Sequence, residues 1–302
     1  MICAMGELLV DFTEQQENEY GYPVLSAAPG GAPANFLCAV KKQGVDASFI
    51  GKVGNDAFGR KLISTLKEKG IDTDGIIKAD DVFTTLAFVT LDARGERSFS
   101  FARKPGADTC ITTEEIDLGI IDRSAVFHFG SLSFTDEPAK TSVEYAVGYA
   151  KARGKIISYD PNYRPMLWKN EETARKSMTE GFKYADIVKL SIEEAGFIFG
   201  TCEKEAADIL YNDFGCKTVF VTLGEKGCYC KCTAGSFYTK SEKDVVPKDT
   251  TGAGDIFTGT AEALMLLKGR GISELTLDEM KEIATGACTA ATLSTLRQGG
   301  MV

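Results

Sequence analysis

Histidine is nearly absent from this chain. His128 is the one copy in 302 residues, and it sits in the apolar stretch VFHFGSLS, residues 126–133. Ser–His–Asp or Cys–His chemistry would have to run through that residue, whose apolar strand setting suits a core histidine better than a catalytic base. Basic charge is also short: 34 Lys and Arg stand against 43 Asp and Glu, a formal charge of −9. Nucleic acid and anionic membranes need basic surface and are therefore not expected partners. An anionic ligand would have to be met by a local concentration of donors. No apolar run approaches the roughly 18–20 residues of a membrane helix. The opening MICAMGELLVDF has no basic leader and reads as a first β-strand rather than a signal peptide. Nine cysteines are scattered without a CxxC pair, which suits a reducing compartment and makes the cytoplasm the expected location. Cys228, Cys230 and Cys232 in GCYCKC alternate as residues of one strand face do; zinc spacings differ and need a fourth ligand. Internal repeats and low-complexity linkers are missing too.

What is present is alternation. Strands are expected at Ile2–Val10, Ala47–Val53, Ala125–Phe129, Lys155–Tyr159, Ile187–Leu190 and Thr218–Thr222. Helices are expected at Ala34–Gln43, Phe58–Lys69, Glu137–Ala152, Glu203–Asn212 and Ala253–Leu267. Strands separated by helices imply crossover units and a mostly parallel sheet covered on both faces, with ligands at the carboxyl ends of the strands. One segment departs from this: Thr84–Leu91 and Glu96–Phe101 flank the turn DARG and read as a hairpin without a helix. With residues 13–30 and 83–105 it forms a candidate lid sheet on a core of 1–12, 31–82 and 106–302. An exposed sheet face wants cover, so a homodimer contact through this lid is expected.

Residues 249–259 read DTTGAGDIFTG and lead straight into an apolar helix. Glycines let the backbone approach a ligand closely, and the first turn of a helix offers unpaired N–H groups and the positive end of its dipole. Gly252, Ala253 and Gly254 are thus candidate anion donors. Asp255 is placed to take a proton from a hydroxyl attacking a phosphoryl group. A first-turn acid favoured by the dipole would look the same. No Lys-Ser/Thr follows the glycines, so this is not a Walker-type loop.

DTTGAGD resembles the C-terminal signature of the ribokinase (PfkB) family of carbohydrate kinases, and PGGAPANFLCAVKKQG, residues 29–44, resembles its N-terminal one. The resemblance runs from the first strand to about Gly300 and implies a three-layer α/β/α core with a small β-sheet lid. It further implies ATP, Mg²⁺ and a sugar as ligands. Bottom-up, Asp11 can accept two hydroxyl protons and Asn35 can both donate and accept. By the resemblance these two, with Gly30 and Gly31, hold the sugar. Phe99 and Phe101 share a strand face that could pack on a sugar, with Arg103 reaching a hydroxyl; a hydrophobic lid face beside a solvated arginine is the alternative. RSFSFARKPGAD (97–108), VFHFGSLS and SYDPNYRPMLW (158–168) resemble fructokinase segments, which would place Leu132 and Arg164 on the sugar or phosphate side. Arg164 as an ion-pair partner of Asp160 is the structural alternative.

In KLSIEE (189–194) Ser191 stands where the family commonly has Asn. Glu194 matches its glutamate, which acts on Mg²⁺ through water, and Lys189 could neutralise nucleotide phosphate. A helix N-cap at Ser191 satisfies the same pattern. Thr222, Gly224 and Gly227 in TLGEKG resemble the nucleotide phosphate contact, although a plain hairpin turn would look similar. ACTAATLSTLRQGG resembles the border of adenine, with Cys288 where Asn is frequent. Asp249 and the Thr251 carbonyl match part of a monovalent cation site, implying K⁺. Fructose is the expected acceptor, with 2-keto-3-deoxygluconate and ribose as alternatives; a catalytically silent sugar-binding regulator is the alternative from a different class.

Overall fold

The computed structural model describes residues 1–91, 97–241 and 245–301. The expected DARG turn and Glu96 lie outside these residues, as does the side chain of Phe99. The chain opens with β1 (Ile2–Met5), β2 (Leu9–Glu17) and β3 (Pro23–Gly30), followed by α1 (Ala32–Lys42), β4 (Ala47–Gly54), α2 (Ala57–Glu68) and β5 (Asp72–Ala79). Next come β6 (Leu86–Leu91), β7 (Arg97–Ala102), α3 (Leu118–Arg123), β8 (Val126–Gly130), α4 (Ala139–Ala152) and β9 (Ile156–Asp160). They are followed by α5 (Glu171–Phe182), β10 (Ile187–Ser191), α6 (Ile192–Phe199), α7 (Glu203–Asn212) and β11 (Thr218–Thr222). The last elements are β12 (Cys228–Cys232), β13 (Gly235–Thr239), α8 (Ala253–Leu267) and α9 (Leu277–Ser294). None of the described helices is long and apolar enough to cross a membrane.

The large sheet runs β13-β12-β11-β10-β9-β8-β1-β4-β5 and is parallel except for β12 and β13 at one edge. Its inner strands are buried on both faces, which is why they read as mostly apolar runs, whereas the edge strands β13 and β5 are partly exposed. β1 shows the partition: Ile2 and Ala4 enter the core beneath α1, α2 and α8, while Cys3 and Met5 enter the core beneath α3 and α4. A third cluster, which holds Cys228, Cys230 and Cys232, lies between β10–β12 and helices α8 and α9. His128, in the middle of β8, is buried and stacks on Phe36 at 3.8 Å, as a core residue would.

The small sheet, β3-β2-β6-β7, is the expected lid, with different limits. The single strand expected at Ile2–Val10 is in fact two. β1 stops at Met5, Glu7 turns inward so that its carboxylate accepts the Ala32 N–H at 2.9 Å, and the chain leaves the core as β2. Asp11 therefore belongs to the lid sheet rather than to the end of a core strand. The lid rests on α2 through Phe12, which stacks on Phe88 at 5.5 Å and meets Phe58 edge-on at 5.5 Å. Its other face carries the row Ala28–Asp11–Ala87–Phe101, read directly from the strand register.

Candidate active site

Helices α1 and α8 begin side by side, and their first turns are where the two glycine-rich signatures meet. Asn35, one turn into α1, donates from Nδ2 to Asp255 Oδ2 at 2.8 Å, a bond between residues 220 positions apart. The other oxygen of Asp255 faces Asn162 Nδ2 at 3.4 Å. Asn35 Oδ1 is buried with no hydrogen-bond partner among the described residues. A buried acceptor of that kind calls for a donor, the role a hydroxyl group can fill.

Gly252 caps α8 with φ of 76°, the left-handed region that favours glycine. No side chain caps this helix. The Ala253 N–H is spent on the Thr250 carbonyl at 3.3 Å, so of the three expected amide donors it is the least available. The Gly252 and Gly254 N–H groups have no intramolecular acceptor among the described residues and remain open to an anion.

Behind this loop lies a compact charge cluster at the carboxyl ends of β9 and β10. Lys189 Nζ bonds Asp160 Oδ2 at 3.0 Å, and both side chains are buried. A Cβ on Gly254 would stand 2.8 Å from Lys189 Nζ, so the glycine makes room for the ammonium as much as for a ligand. Burial alone would lower the Lys189 pKa, but Asp160, Glu194 and Asp255 hold it above its ordinary range. Burial pushes Asp160 up to about 7 against the pull of Lys189, with Glu194 and Asp255 adding to the rise. Burial likewise raises Asp255, opposed by the Asn35 hydrogen bond, Lys189 and Arg164. A proton acceptor held above the ordinary carboxylate range, yet kept ionisable by an amide and two cations, has the tuning of a general base.

Ser191 and Glu194 form a capping box at the start of α6: the Ser191 N–H donates to Glu194 Oε2 at 2.7 Å and Ser191 Oγ accepts the Glu194 N–H at 3.2 Å. Glu194 Oε1 also accepts the Tyr163 N–H at 2.7 Å, fixing the loop that carries Asn162 and Arg164. Arg164 is exposed and pairs with no carboxylate among the described residues, so Asp160 is not its partner. Its field is nevertheless felt by Asp11 and Asp255. Burial pushes Asp11 up to about 6, with Arg164 lowering it and Asp249 and Asp255 raising it. Asp11 also fills the space that a side chain at Gly30 would need. Gly31 is the N-cap of α1, at φ of 117°.

Residues 1–301 match the pfkB family carbohydrate kinase over essentially the whole chain. The chain belongs to the PfkB family of carbohydrate kinases. A fructokinase-2 of Oryza sativa subsp. japonica is 40% identical over 86% of this chain and 78% of its own length. A Xylella fastidiosa fructokinase solved with bound ATP superposes with a TM-score of 0.91 at 30% identity, covering 99% of this chain and 93% of the other. A Vibrio cholerae fructokinase solved with fructose, ADP and calcium gives 0.85 at 27% identity, over 100% and 94%.

Two expected contacts of this PfkB kinase need correction. Arg103 is neither solvated nor reaching out: it is buried, with Nε 2.8 Å from Asp108 Oδ2, Nη1 donating to Thr135 Oγ1 at 2.7 Å and Nη2 donating to the Leu132 carbonyl at 3.0 Å. Its guanidinium anchors the end of β7 to the core, and Leu132, itself buried, serves that anchor through its carbonyl. Cys288 is also turned inward, buried in the cluster under β12, where it interacts with Cys228. Phe101 does share the lid row with Asp11, with only the small Ala87 between them.

Thr222 closes β11, and Gly224 and Gly227, both at positive φ, shape the tight turn into the antiparallel β12. Asp249 accepts the Thr251 N–H and hydroxyl at 2.9 and 2.7 Å and the Gly299 N–H at 2.9 Å. The glycine loop is thereby tied to the segment after α9. Asp160, Asn162 and Glu7 are the site residues that sequence reasoning missed. A charged residue ending an otherwise uncharged strand, as Asp160 does after IISY, is the signal that was available.

Proposed function

We propose that this kinase transfers the γ-phosphoryl group of ATP to a primary hydroxyl of D-fructose, giving fructose 6-phosphate. The observation that carries the reading is the Asn35–Asp255 bond, which sets a buried carboxylate beside the open amides of Gly252 and Gly254. The acceptor hydroxyl lies against Asp255, which takes its proton as the new P–O bond forms. The amides of Gly252 and Gly254 and the Lys189 ammonium stabilise the transferring oxygens. Asp11, Gly30, Gly31 and Asn35 hold the remaining hydroxyls, and Phe101 packs on the apolar side of the sugar.

Thr222, Gly224, Gly227 and the carboxyl end of α9 border the nucleotide. Asp160 and Glu194 supply hard oxygens suited to a hydrated Mg²⁺, since each Glu194 oxygen accepts one backbone N–H and keeps lone pairs for water. When bound with the nucleotide, Mg²⁺ neutralises charge on the phosphates. Asp249, Thr251 and the 294–299 carbonyls are the residues a K⁺ ion would use. The lid, with Asp11 on its inner row, closes over the sugar so that water does not compete as acceptor. Its exposed Tyr20 and Tyr22 suit a contact between two copies of the chain.

Fructose is favoured over an acidic sugar because Arg103, one of the two arginines expected at the sugar, is already committed to Asp108 and only Arg164 of that pair is left to meet a carboxylate. ADP release measured across fructose, ribose and 2-keto-3-deoxygluconate tests the substrate, with fructose expected to give the highest kcat/KM. Asp255→Asn should lose roughly 10²–10⁴-fold in kcat with KM little changed. Near-normal turnover in that variant would falsify the base assignment, and no turnover with any sugar would mark a silent binding protein.

A further inference from the structure

We propose that Glu262, acting through Ser158 and His128, is a positioning residue that fixes helix α8, and so Asp255, against the strand and helix that carry the rest of the site. The proposal rests on the reading of Asp255 as the base. Glu262 lies seven residues after Asp255 on α8, close to two full turns, so the two side chains project from nearly the same face. Ser158 lies two residues before Asp160 on β9, which puts those two on one side of the sheet. The Ser158 hydroxyl donates to Glu262 Oε1 in a short hydrogen bond. Since the Ser158 proton goes to Glu262, the 2.8 Å contact with His128 is made by an Nδ1–H of the neutral imidazole donating to Ser158 Oγ.

The far side of that imidazole stacks on Phe36 at 3.8 Å and 8°. Phe36 directly follows Asn35, the residue bonded to Asp255. The chain Glu262–Ser158–His128–Phe36 thus touches α8, β9, β8 and α1, the elements that carry Asp255, Asp160 and Asn35. All three polar members are buried.

Stability does not explain the carboxyl. Glu262 Oε2 has no partner among the described residues, and a buried group left half satisfied costs free energy that an isosteric apolar side chain would not. Burial pushes Glu262 up to about 8, which keeps it neutral and makes its retention less costly, but neutrality alone gives no reason for a polar group here. A directional bond that sets the register of α8 on β9 gives one.

Glu262→Leu should fold with a Tm equal to or above that of the wild type and lose about tenfold in kcat, equivalent to about 1.4 kcal/mol, with KM for fructose and ATP within about twofold. Glu262→Gln keeps an acceptor for Ser158 and should restore at least half of the wild-type kcat. Glu262→Leu combined with Ser158→Ala should be no worse than the more damaging single change, because both cut one bond. If Glu262→Leu does not fold, Ser158→Ala carries the same kcat test from the strand side. A Glu262→Leu kcat within about twofold of wild type, a Gln variant as poor as Leu, or losses that add in the double variant would each overturn the proposal. Asp255→Asn measured in parallel separates the two readings. Near-normal turnover there removes the base and leaves Glu262 nothing to position, whereas lost turnover there with an unaffected Glu262→Leu overturns this proposal alone.

Discussion

Replacing Gly254 by alanine adds one carbon and aims it at Lys189. Gly254 is the second residue of α8, and in an ordinary helix the exchange would stabilise by about 0.5–1 kcal/mol. Here the new Cβ would stand 2.8 Å from Lys189 Nζ and 3.3 Å from Cε. Non-bonded contact becomes comfortable at about 3.5 Å, so the ammonium has to retreat by roughly 0.7 Å. A lysine on the surface would do so freely. This one is buried, bonded to Asp160 at 3.0 Å and enclosed by the fields of three carboxylates.

The displacement therefore lengthens the Asp160 bond and moves the buried Lys189 cation beside the glycine loop. Misplacement by about 1 Å at a reacting centre can cost 10²-fold, and Lys189 stands beside that centre rather than in it, so a kcat loss of about 10- to 100-fold is expected. Gly148→Ala is the control: it sits exposed on α4 with nothing within 4 Å of its Cβ. It should stabilise by about 0.5–1 kcal/mol with unchanged turnover. Steady-state ADP release and thermal melts on both variants decide the matter. If folded Gly254→Ala turns over within about twofold of wild type, Gly254 does not guard the position of Lys189.

Three further outcomes follow from the same geometry. Arg103→Met leaves Asp108 buried without its cation and should destabilise by about 3–5 kcal/mol in urea titrations; a change under about 1 kcal/mol would mean that the pair contributes little. Glu262 is raised from 4.5 to about 8 by burial, so the folded chain keeps a proton that the unfolded chain releases above pH 4.5, and stability falls as pH climbs from there through 8. Asp160 and Glu7, both raised to about 7, slope the same way, so Glu262→Gln should narrow, without abolishing, the gap in urea midpoint between pH 6 and pH 9; an unaltered gap refutes the assignment. Fructose with a nucleotide should slow amide exchange in β2 and β6 of the lid, and unchanged exchange at saturation counts against closure.

Much of the core was legible because periodicity reports burial. Thr218–Thr222, Glu203–Asn212 and Ala253–Leu267 have the limits that their apolar patterns give, and the other expected core elements, Ile2–Val10 apart, shift by only one or two residues. The break after Met5 was not legible, since it depends on Glu7 reaching a helix 25 residues away, and Ile2–Val10 is apolar throughout apart from that residue and Gly6. β5, α5 and α6 were passed over because their stretches are short or mixed in polarity and gain their burial only from neighbours. At the site, glycine and acid patterns were readable as local features. The roles of Arg103 and Cys288 were not, because a sequence carries no record of whether a side chain faces a ligand or another side chain in the interior. Asp108 and Cys228 are those side chains.

The chain carries a formal charge of −9, and it is proposed to bind a polyanionic nucleotide beside four of its own carboxyls. Two effects reconcile these statements. Salt screens surface charge beyond about 8–10 Å, so most of the −9 does not reach a buried loop. Inside that range the carboxyls are not all charges: Asp11 is raised to about 6 and Asp160 to about 7 by burial, so each can hold a proton when an anion approaches, while Lys189 is held charged. An arriving phosphate shifts those protonation equilibria further toward the neutral acids, and a cation bound with it shifts them back. Asp11 and Asp160 are thus the carboxyls whose charge answers to the ligand, with Lys189 and the open Gly252 and Gly254 amides as the fixed positive features beside them.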